Sequence, residues 1–415
     1  MSRFSGLELR AVSLNTLFQF IVRMLGSTST LLTTLLIASF LGLESVGSFT
    51  KVIAFVSLFF VFIDFGFNST MLRNYYKDFD RNFGNLVVLR LLVTIALLPI
   101  LITLSLILPH SELLGTGFSQ IEKVAVIVFS LSLIGTSLNT TLQAYLQRRL
   151  SYSLSLLPSF AGSVCLIIVV LYALVMGNFL LLFAGYIAST AVGSFLTYLS
   201  IRNSHNPNLR LYSFSHFAKD LFISTWPLGL MLGFNFTYSR ADIFILSYMK
   251  PTADVGVYGV SYRFFEIALA LPTFLANSTY PLLLKHVGDK KAYFALLLKY
   301  FKLYFILSLV ALIGIIAGAP LLPLLGKSFI LSVAPLQLLA LSLPFFFLTS
   351  IIQWHFLIRG KVKMLIPLYA GVLILNVIFN ILLIPRFSYN ASALITGVSE
   401  ALVFAVMLWY VRKIN

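Results

Sequence analysis

Charge is scarce in this chain, and its rare appearances inside apolar sequence invite a chemical reading. Six basic residues lie within long apolar runs: Arg23, Lys51, Arg90, Arg240, Arg263 and Lys302. Three carboxylates, Asp242, Glu266 and Glu400, do the same. A charge at bilayer depth costs about 2.5–3.5 kcal/mol even on the lenient insertion scale, so it turns toward protein or water rather than lipid. Arginine adds a planar fork of donors that matches phosphate oxygens two at a time. The chemistry these residues suit is capture of a bulky phosphate-bearing anion within a membrane, with the carboxylates as candidates for ion coupling.

The candidates differ in strength. Arg23 has no acid within four residues and lies about 13 Å into its helix at 1.5 Å per residue, which makes it the first choice for binding an anionic substrate. Lys51, near the outer end of its helix, suits snorkelling and cavity lining equally. Arg263 and Glu266 are three apart on one helix face and are placed to neutralise each other; Arg240 has Asp242 or Glu266 as potential partners. Lys51, Arg240 and Arg263 join Arg23 as substrate-binding candidates, while Asp242, Glu266 and Glu400 are the ion-coupling candidates. Arg90 and Lys302 open their helices and read as cations reaching headgroups. Asp64 reads as a boundary residue and His355 as interfacial. Asn376 and Asn380, four apart, read as helix-to-helix hydrogen-bond partners. No residue pattern calls for a catalytic group, a metal or a cofactor, and the single Cys165 rules out an intrachain disulfide.

The elements that must position these residues follow from composition. Charged residues make up 10% of the 415 and hydrophobic ones 59%, against about 25% and 45–50% in soluble chains. Runs long enough to cross a bilayer, about 20 apolar residues each, fall near 14–40, 47–70, 86–108, 123–145, 154–176, 179–201, 221–248, 256–281, 300–322, 335–358, 365–384 and 391–411. They lack the period-two alternation of barrel strands. The fold class is therefore an all-α integral membrane protein of about twelve transmembrane helices.

Twelve passages put both termini on one side. Of the 29 Lys and Arg, nineteen fall in loops on that side and four, Lys123, Lys250, Lys327 and Arg386, on the other. The positive-inside rule then places both termini in the cytoplasm, in the inner or cytoplasmic membrane. The net charge of +16 reads as topology plus contact with anionic membrane lipid, and nothing points to nucleic acid. The longest loop on the other face, 109–122, is too short for a soluble domain.

A weak internal repeat spans the chain. Val46-Gly47 recurs as Val255-Gly256, and Asn68-Ser69-Thr70 as Asn277-Ser278-Thr279; Gln143 and Arg149 recur as Gln353 and Arg359. The offsets stay near 209. An even number of spans separates the halves, which predicts a parallel repeat about an axis along the membrane normal. Residues 1–205 and 221–415 then form two pseudo-symmetric six-helix lobes around a central cavity, joined by a linker over 206–220.

At this point the chain resembles a family. The stretch Arg240-Ala-Asp242-Ile-Phe-Ile-Leu-Ser-Tyr-Met-Lys-Pro-Thr-Ala-Asp-Val-Gly256-Val-Tyr258 looks like the seventh-to-eighth helix signature of polysaccharide repeat-unit flippases of the O-antigen and capsule type. Leu41-Gly42-Leu43-Glu44-Ser45-Val46-Gly47, followed by Asp64-Phe65-Gly66-Phe67, is similar to their first-to-second helix region. Asn376-Val-Ile-Phe-Asn380-Ile-Leu-Leu-Ile-Pro385, then Ala391 and Glu400, looks like their closing helices, although Arg386–Asn390 replaces the usual short Gly-Ala turn. The resemblance implies the multidrug/oligosaccharidyl-lipid/polysaccharide exporter fold, with helices 1, 2, 7 and 8 flanking the cavity. It also implies movement of polyprenyl-pyrophosphate-linked oligosaccharide between leaflets by alternating access, beside the polymerase and glycosyltransferases of the same pathway.

Three alternatives stand beside this reading. A cation-coupled multidrug exporter of the same fold would want an acidic cavity, whereas helices 1, 2, 7 and 8 carry four bases against Asp64, Asp242 and Glu266. Another lipid exporter, such as a lipid II flippase, fits the same residues. A polytopic polymerase or ligase is the rival among enzymes; it would want a large outer loop, and the chain shows no GxSxG, HExxH or phosphate-cradling loop.

Overall fold

The computed structural model describes residues 6–75 and 77–414. Arg3 of the charge asymmetry, the side chains of Arg10 and Lys285, and those of Asn277 and Ser278 in the repeat lie outside the described residues. Thirteen α-helices make up nearly all of the rest. They are α1 (Gly6–Asp64), α2 (Phe67–Asn74), α3 (Phe79–Ile107), α4 (Gln120–Ser130), α5 (Ser132–Arg149), α6 (Leu156–Val175) and α7 (Phe179–His205), then α8 (Phe214–Met249), α9 (Thr252–Lys285), α10 (Lys290–Gly318), α11 (Val333–Ala340), α12 (Leu343–Ile358) and α13 (Leu365–Ile414). A two-residue hairpin, β1 (His110–Ser111) and β2 (Thr116–Gly117), sits between α3 and α4.

Among the described residues, length and hydropathy alone give seven helices able to cross a membrane, or eight when the bent pair formed by α12 and the segment before it counts as one span. Two of these elements cross twice. Helix α1 breaks at Gly42, whose φ of 81° suits glycine, and α13 breaks at Ser388, with φ 48°. Both breaks fall where the sequence places a loop. Helices α8 and α9, of 36 and 34 residues, exceed the length a passage needs but fall outside the helices that length and hydropathy select. Several helices begin earlier than the hydropathy predicts: α3 at Phe79 rather than 86, and α10 at Lys290 rather than 300. Backbone hydrogen bonding continues through charged turns, where hydropathy stops, and Asp289 caps α10 by accepting from the Ala292 amide at 3.1 Å.

The chain divides into two compact units. Unit 1 comprises residues 1–33, 51–112 and 117–236; unit 2 comprises 34–50, 113–116 and 237–415. Unit 1 centres on an aromatic-rich cluster that includes Phe67, Phe79, Phe83, Tyr145, Tyr152 and Phe217. Unit 2 has a tight helix crossing at its heart. A Cβ on Gly47 would lie 1.9 Å from the Thr252 carbonyl oxygen, and one on Gly256 would lie 1.9 Å from that of Leu43. Each glycine of the Val-Gly repeat thus faces the residue four before the other, the reciprocity of a local two-fold contact. Small residues at such crossings let membrane helices approach to backbone distance.

Candidate functional site

The intramembrane charges resolve into several networks. In unit 2, α8 presents Arg240 and α9 presents Arg263 and Glu266 to one another. Arg240 Nη2 donates to Glu266 Oε1 at 2.6 Å and Arg263 Nη1 donates to Oε2 at 2.6 Å, so one carboxylate receives a guanidinium on each oxygen. Arg240 also stacks over the Tyr262 ring, 5.0 Å from its centroid. The three side chains are 14%, 9% and 25% exposed, buried enough to strengthen the pairing and open enough on Glu266 to leave an edge accessible. The three-residue spacing of Arg263 and Glu266 puts them on one face of α9, and Arg240 reaches them from the neighbouring helix.

Two further acids of unit 2 occupy apolar surroundings with hydroxyl partners. Asp242 accepts from the Tyr258 hydroxyl, from Thr396 Oγ1 at 3.1 Å and from the Ile243 amide at 2.8 Å, which ties α8, α9 and α13 together. Glu400 accepts from the Tyr238 hydroxyl, linking α13 to α8. Nearby, Asn376 donates to Ser399 Oγ at 3.0 Å and Asn380 donates to the Asn376 side-chain oxygen at 2.9 Å; the first bond joins the two passages of α13. The hydroxyl partners of Asp242 and Glu400 lie outside the Arg–Glu–Arg cluster, and Asp242 interacts electrostatically with Arg240 of that cluster.

In unit 1, Lys51 is fully buried. Its Nζ pairs with Glu122 Oε1 at 2.6 Å, donates to the Gly117 carbonyl at 2.7 Å and lies 5.6 Å from the Phe118 ring centre. Glu122 also closes a capping box at the start of α4, its carboxylate accepting from the Ser119 amide at 2.7 Å. Arg23 occupies an exposed position on α1.

Arg90 corrects an expectation. Rather than reaching headgroups, it is completely buried. It donates to the Ile63 carbonyl, Thr141 Oγ1, Asp64 Oδ1 and Asn68 Oδ1 at 3.1, 2.8, 3.2 and 2.8 Å. The break at Phe65 and Gly66, with φ of 43° and 79°, ends α1 and turns α2 so that Asp64 and Asn68 meet the guanidinium. Asp64 is therefore a partner and not a mere boundary residue. His355, in the last turn of α12, is likewise buried, with Nδ1 2.7 Å from the Tyr293 hydroxyl. Lys302 is exposed, as a headgroup-seeking cation would be.

Sequence reasoning missed Glu122 and the acceptors of Arg90. The Ser119-x-x-Glu122 spacing was a readable helix start, but its pairing with Lys51, 71 positions earlier, exists only in the fold. Among the described residues no three His, Cys, Asp or Glu cluster to hold a metal ion.

Long apolar helices with polar networks buried among them define a multi-pass membrane protein. The profile of the family described as "polysaccharide biosynthesis protein" matches residues 9–286, more than half of the chain, and the chain belongs to that family. No curated protein sequence matches it. Among solved structures it is similar to the lipid II flippase MurJ in an inward closed conformation, with a TM-score of 0.74 and 17% identity over 96% of this chain and 87% of that one. It is also similar to an outward-facing multidrug resistance MATE family transporter of the MOP superfamily, with a TM-score of 0.70 and 16% identity over 99% and 98%. A MOP superfamily transporter from Pyrococcus furiosus, distinguished by the reverse polarity of its binding pocket, matches with a TM-score of 0.69 and 15% identity over 100% and 98%. At these identities the likeness establishes the fold, that of the multidrug/oligosaccharidyl-lipid/polysaccharide exporters.

Proposed function

We propose that the protein is a flippase that carries polyprenyl-pyrophosphate-linked oligosaccharide repeat units from the cytoplasmic to the outer leaflet for surface polysaccharide assembly. Family membership over residues 9–286 carries this reading. The likeness in fold to a lipid II flippase supports it, and in the proposed cycle the saccharide head crosses while the prenyl tail stays in the bilayer. Keeping the tail there avoids extracting it into water at about 0.8 kcal/mol per CH₂.

In unit 2, Arg240 and Arg263 supply the positive character that a diphosphate needs, and in unit 1 Arg23 is the remaining candidate; Lys51, fully buried in its pair with Glu122, leaves the substrate path. The Arg240–Glu266–Arg263 cluster favours an anion over a cationic drug, since two guanidiniums share one carboxylate. Arrival of a diphosphate would let either arginine exchange Glu266 for the ligand, and the released carboxylate would be free to take up a cation. Asp242 and Glu400, each held by a tyrosine hydroxyl, are the other groups proposed to couple ion flow. Residues 1–205 and 221–415 act in this scheme as lobes that rock about a cavity, joined by the linker at 206–220, with both termini cytoplasmic and the chain in the inner membrane. The reciprocal Gly47 and Gly256 contact supports an internal repeat. The protein performs no covalent chemistry in this reading.

A cell-based test uses a host whose own repeat-unit flippase is deleted. Arg23→Ala and Arg240→Gln are expected to abolish surface polysaccharide while membrane levels of the protein persist. Unimpaired export in both variants would remove these residues from the substrate path.

A further inference from the structure

Unit 1 carries a cavity of about 620 Å³ among α3, α5 and α7. Its wall is apolar, formed by Phe83 and Val87, Leu138 and Leu142, and Phe195 and Tyr198. Phe195 is 61% exposed and Ala191, also on the wall, is exposed, so the cavity opens outward along α7 as a groove.

One end of the groove is closed by the linker. Leu209 lies in the wall, and the linker backbone is held there by two features of α3. Asn85 Nδ2 donates to the Tyr212 carbonyl at 2.6 Å while its Oδ1 accepts from the Tyr212 amide at 3.0 Å. Gly84 admits the strand of linker so closely that a Cβ there would lie 2.6 Å from the Leu209 carbonyl oxygen.

The same end is basic. Arg202 follows Tyr198 by one helical turn on the same face of α7, and Arg210 follows Leu209; both are exposed. Arg81, two residues before Phe83, stacks on Tyr212 at 5.3 Å. Of the acids at this end, Asp80 is engaged by Arg149 at 2.9 Å, and Asp78 sits exposed at the start of α3. An apolar trough running along the helices and ending in surplus positive charge is complementary to one amphiphile that a leaflet always supplies.

We propose that the groove binds an acyl chain of an anionic phospholipid, with the headgroup phosphate against Arg202 and Arg210, and that the bound lipid fastens the linker to unit 1. Lipid tails are as apolar as the groove wall, so moving a chain from bilayer to groove provides little drive. Selection falls to the headgroup. Two cations beside a headgroup of net negative charge, with no choline to offset the phosphate, correspond to a preference of about 30-fold for anionic over zwitterionic lipid.

The test is native mass spectrometry of the purified full-length protein, offered phosphatidylglycerol or phosphatidylcholine. Hydrogen exchange of the amides in 207–212 is measured alongside. Wild type is expected to retain phosphatidylglycerol about 30-fold more readily and to gain protection in 207–212 with that lipid alone. Arg202→Gln/Arg210→Gln, at two exposed positions, is expected to level the preference, and Ala191→Trp to block retention of both lipids. Equal retention of both lipids by wild type, an undiminished preference in the double variant, unchanged linker protection, or a retained mass matching a polyprenyl phosphate would each overturn the proposal.

Discussion

Adding one methyl group at the Gly47–Gly256 crossing probes the packing on which unit 2 depends. In Gly47→Ala the new Cβ lies 1.9 Å from the Thr252 carbonyl oxygen, and in Gly256→Ala it lies 1.9 Å from the Leu43 oxygen, whereas real Cβ contacts essentially never fall under 3.0 Å. The obstructing atoms are backbone, so no rotamer change relieves the clash and the helices must part by about 1 Å. Overpacking of this kind costs about 1–3 kcal/mol, and the loss of close contact along both helices places each variant at the upper end. Because one separation accommodates both methyl groups, the double variant is expected to cost less than the sum of the singles. Equilibrium unfolding in mixed micelles reads these differences. Gly26→Ala serves as the control: nothing lies within 4 Å of its added Cβ, and replacing a helical glycine is expected to stabilise by about 0.5–1 kcal/mol. A loss under about 0.5 kcal/mol in either crossing variant, within the range of neutral surface changes, would refute the reasoning.

Three other perturbations test the networks. Lys51→Met strands the Glu122 carboxylate and should destabilise by about 3–5 kcal/mol, whereas Lys51→Met/Glu122→Leu should recover most of that loss in the same unfolding assay. Arg90→Lys keeps the charge but cannot span acceptors on Ile63, Thr141, Asp64 and Asn68; a loss of about 3–6 kcal/mol is expected, from two charged hydrogen bonds at about 1.5–3 each. Glu400→Gln retains an acceptor for Tyr238, so expression and melting should hold while transport in proteoliposomes ceases to follow an imposed ion gradient; transport that still follows it would take Glu400 out of the coupling scheme.

The helices were legible because a spanning run needs only length and hydropathy, and the breaks at Gly42 and Ser388 fall between runs for the same reason. Helix starts were less legible: Phe79 and Lys290 lie in charged turns that hydropathy excludes but backbone hydrogen bonding accepts, at Lys290 with a cap from Asp289. The Arg263 and Glu266 pairing follows from three-residue spacing on one face, a local fact. Arg240 joining the same carboxylate was one of two options that spacing left open, and Asp242 instead turned to Tyr258 and Thr396. The environment of Arg90 could not be read, because its acceptors depend on a turn at Phe65 and Gly66 and on Thr141 51 positions away. The Val-Gly repeat announced two equivalent helices, yet nothing in a list of residues says that Gly47 and Gly256 face each other's neighbours.

The most direct measurement of function places the purified protein in proteoliposomes with a fluorescent polyprenyl-pyrophosphate-linked oligosaccharide and follows its accessibility to a membrane-impermeant saccharide-cleaving enzyme. A flippase is expected to expose the inner-leaflet population at a rate well above protein-free vesicles, and Arg23→Ala with Arg240→Gln is expected to return the rate to that background. Wild-type protein that leaves the inner-leaflet population protected, while exporting a cationic drug from the same vesicles, would contradict the proposed function.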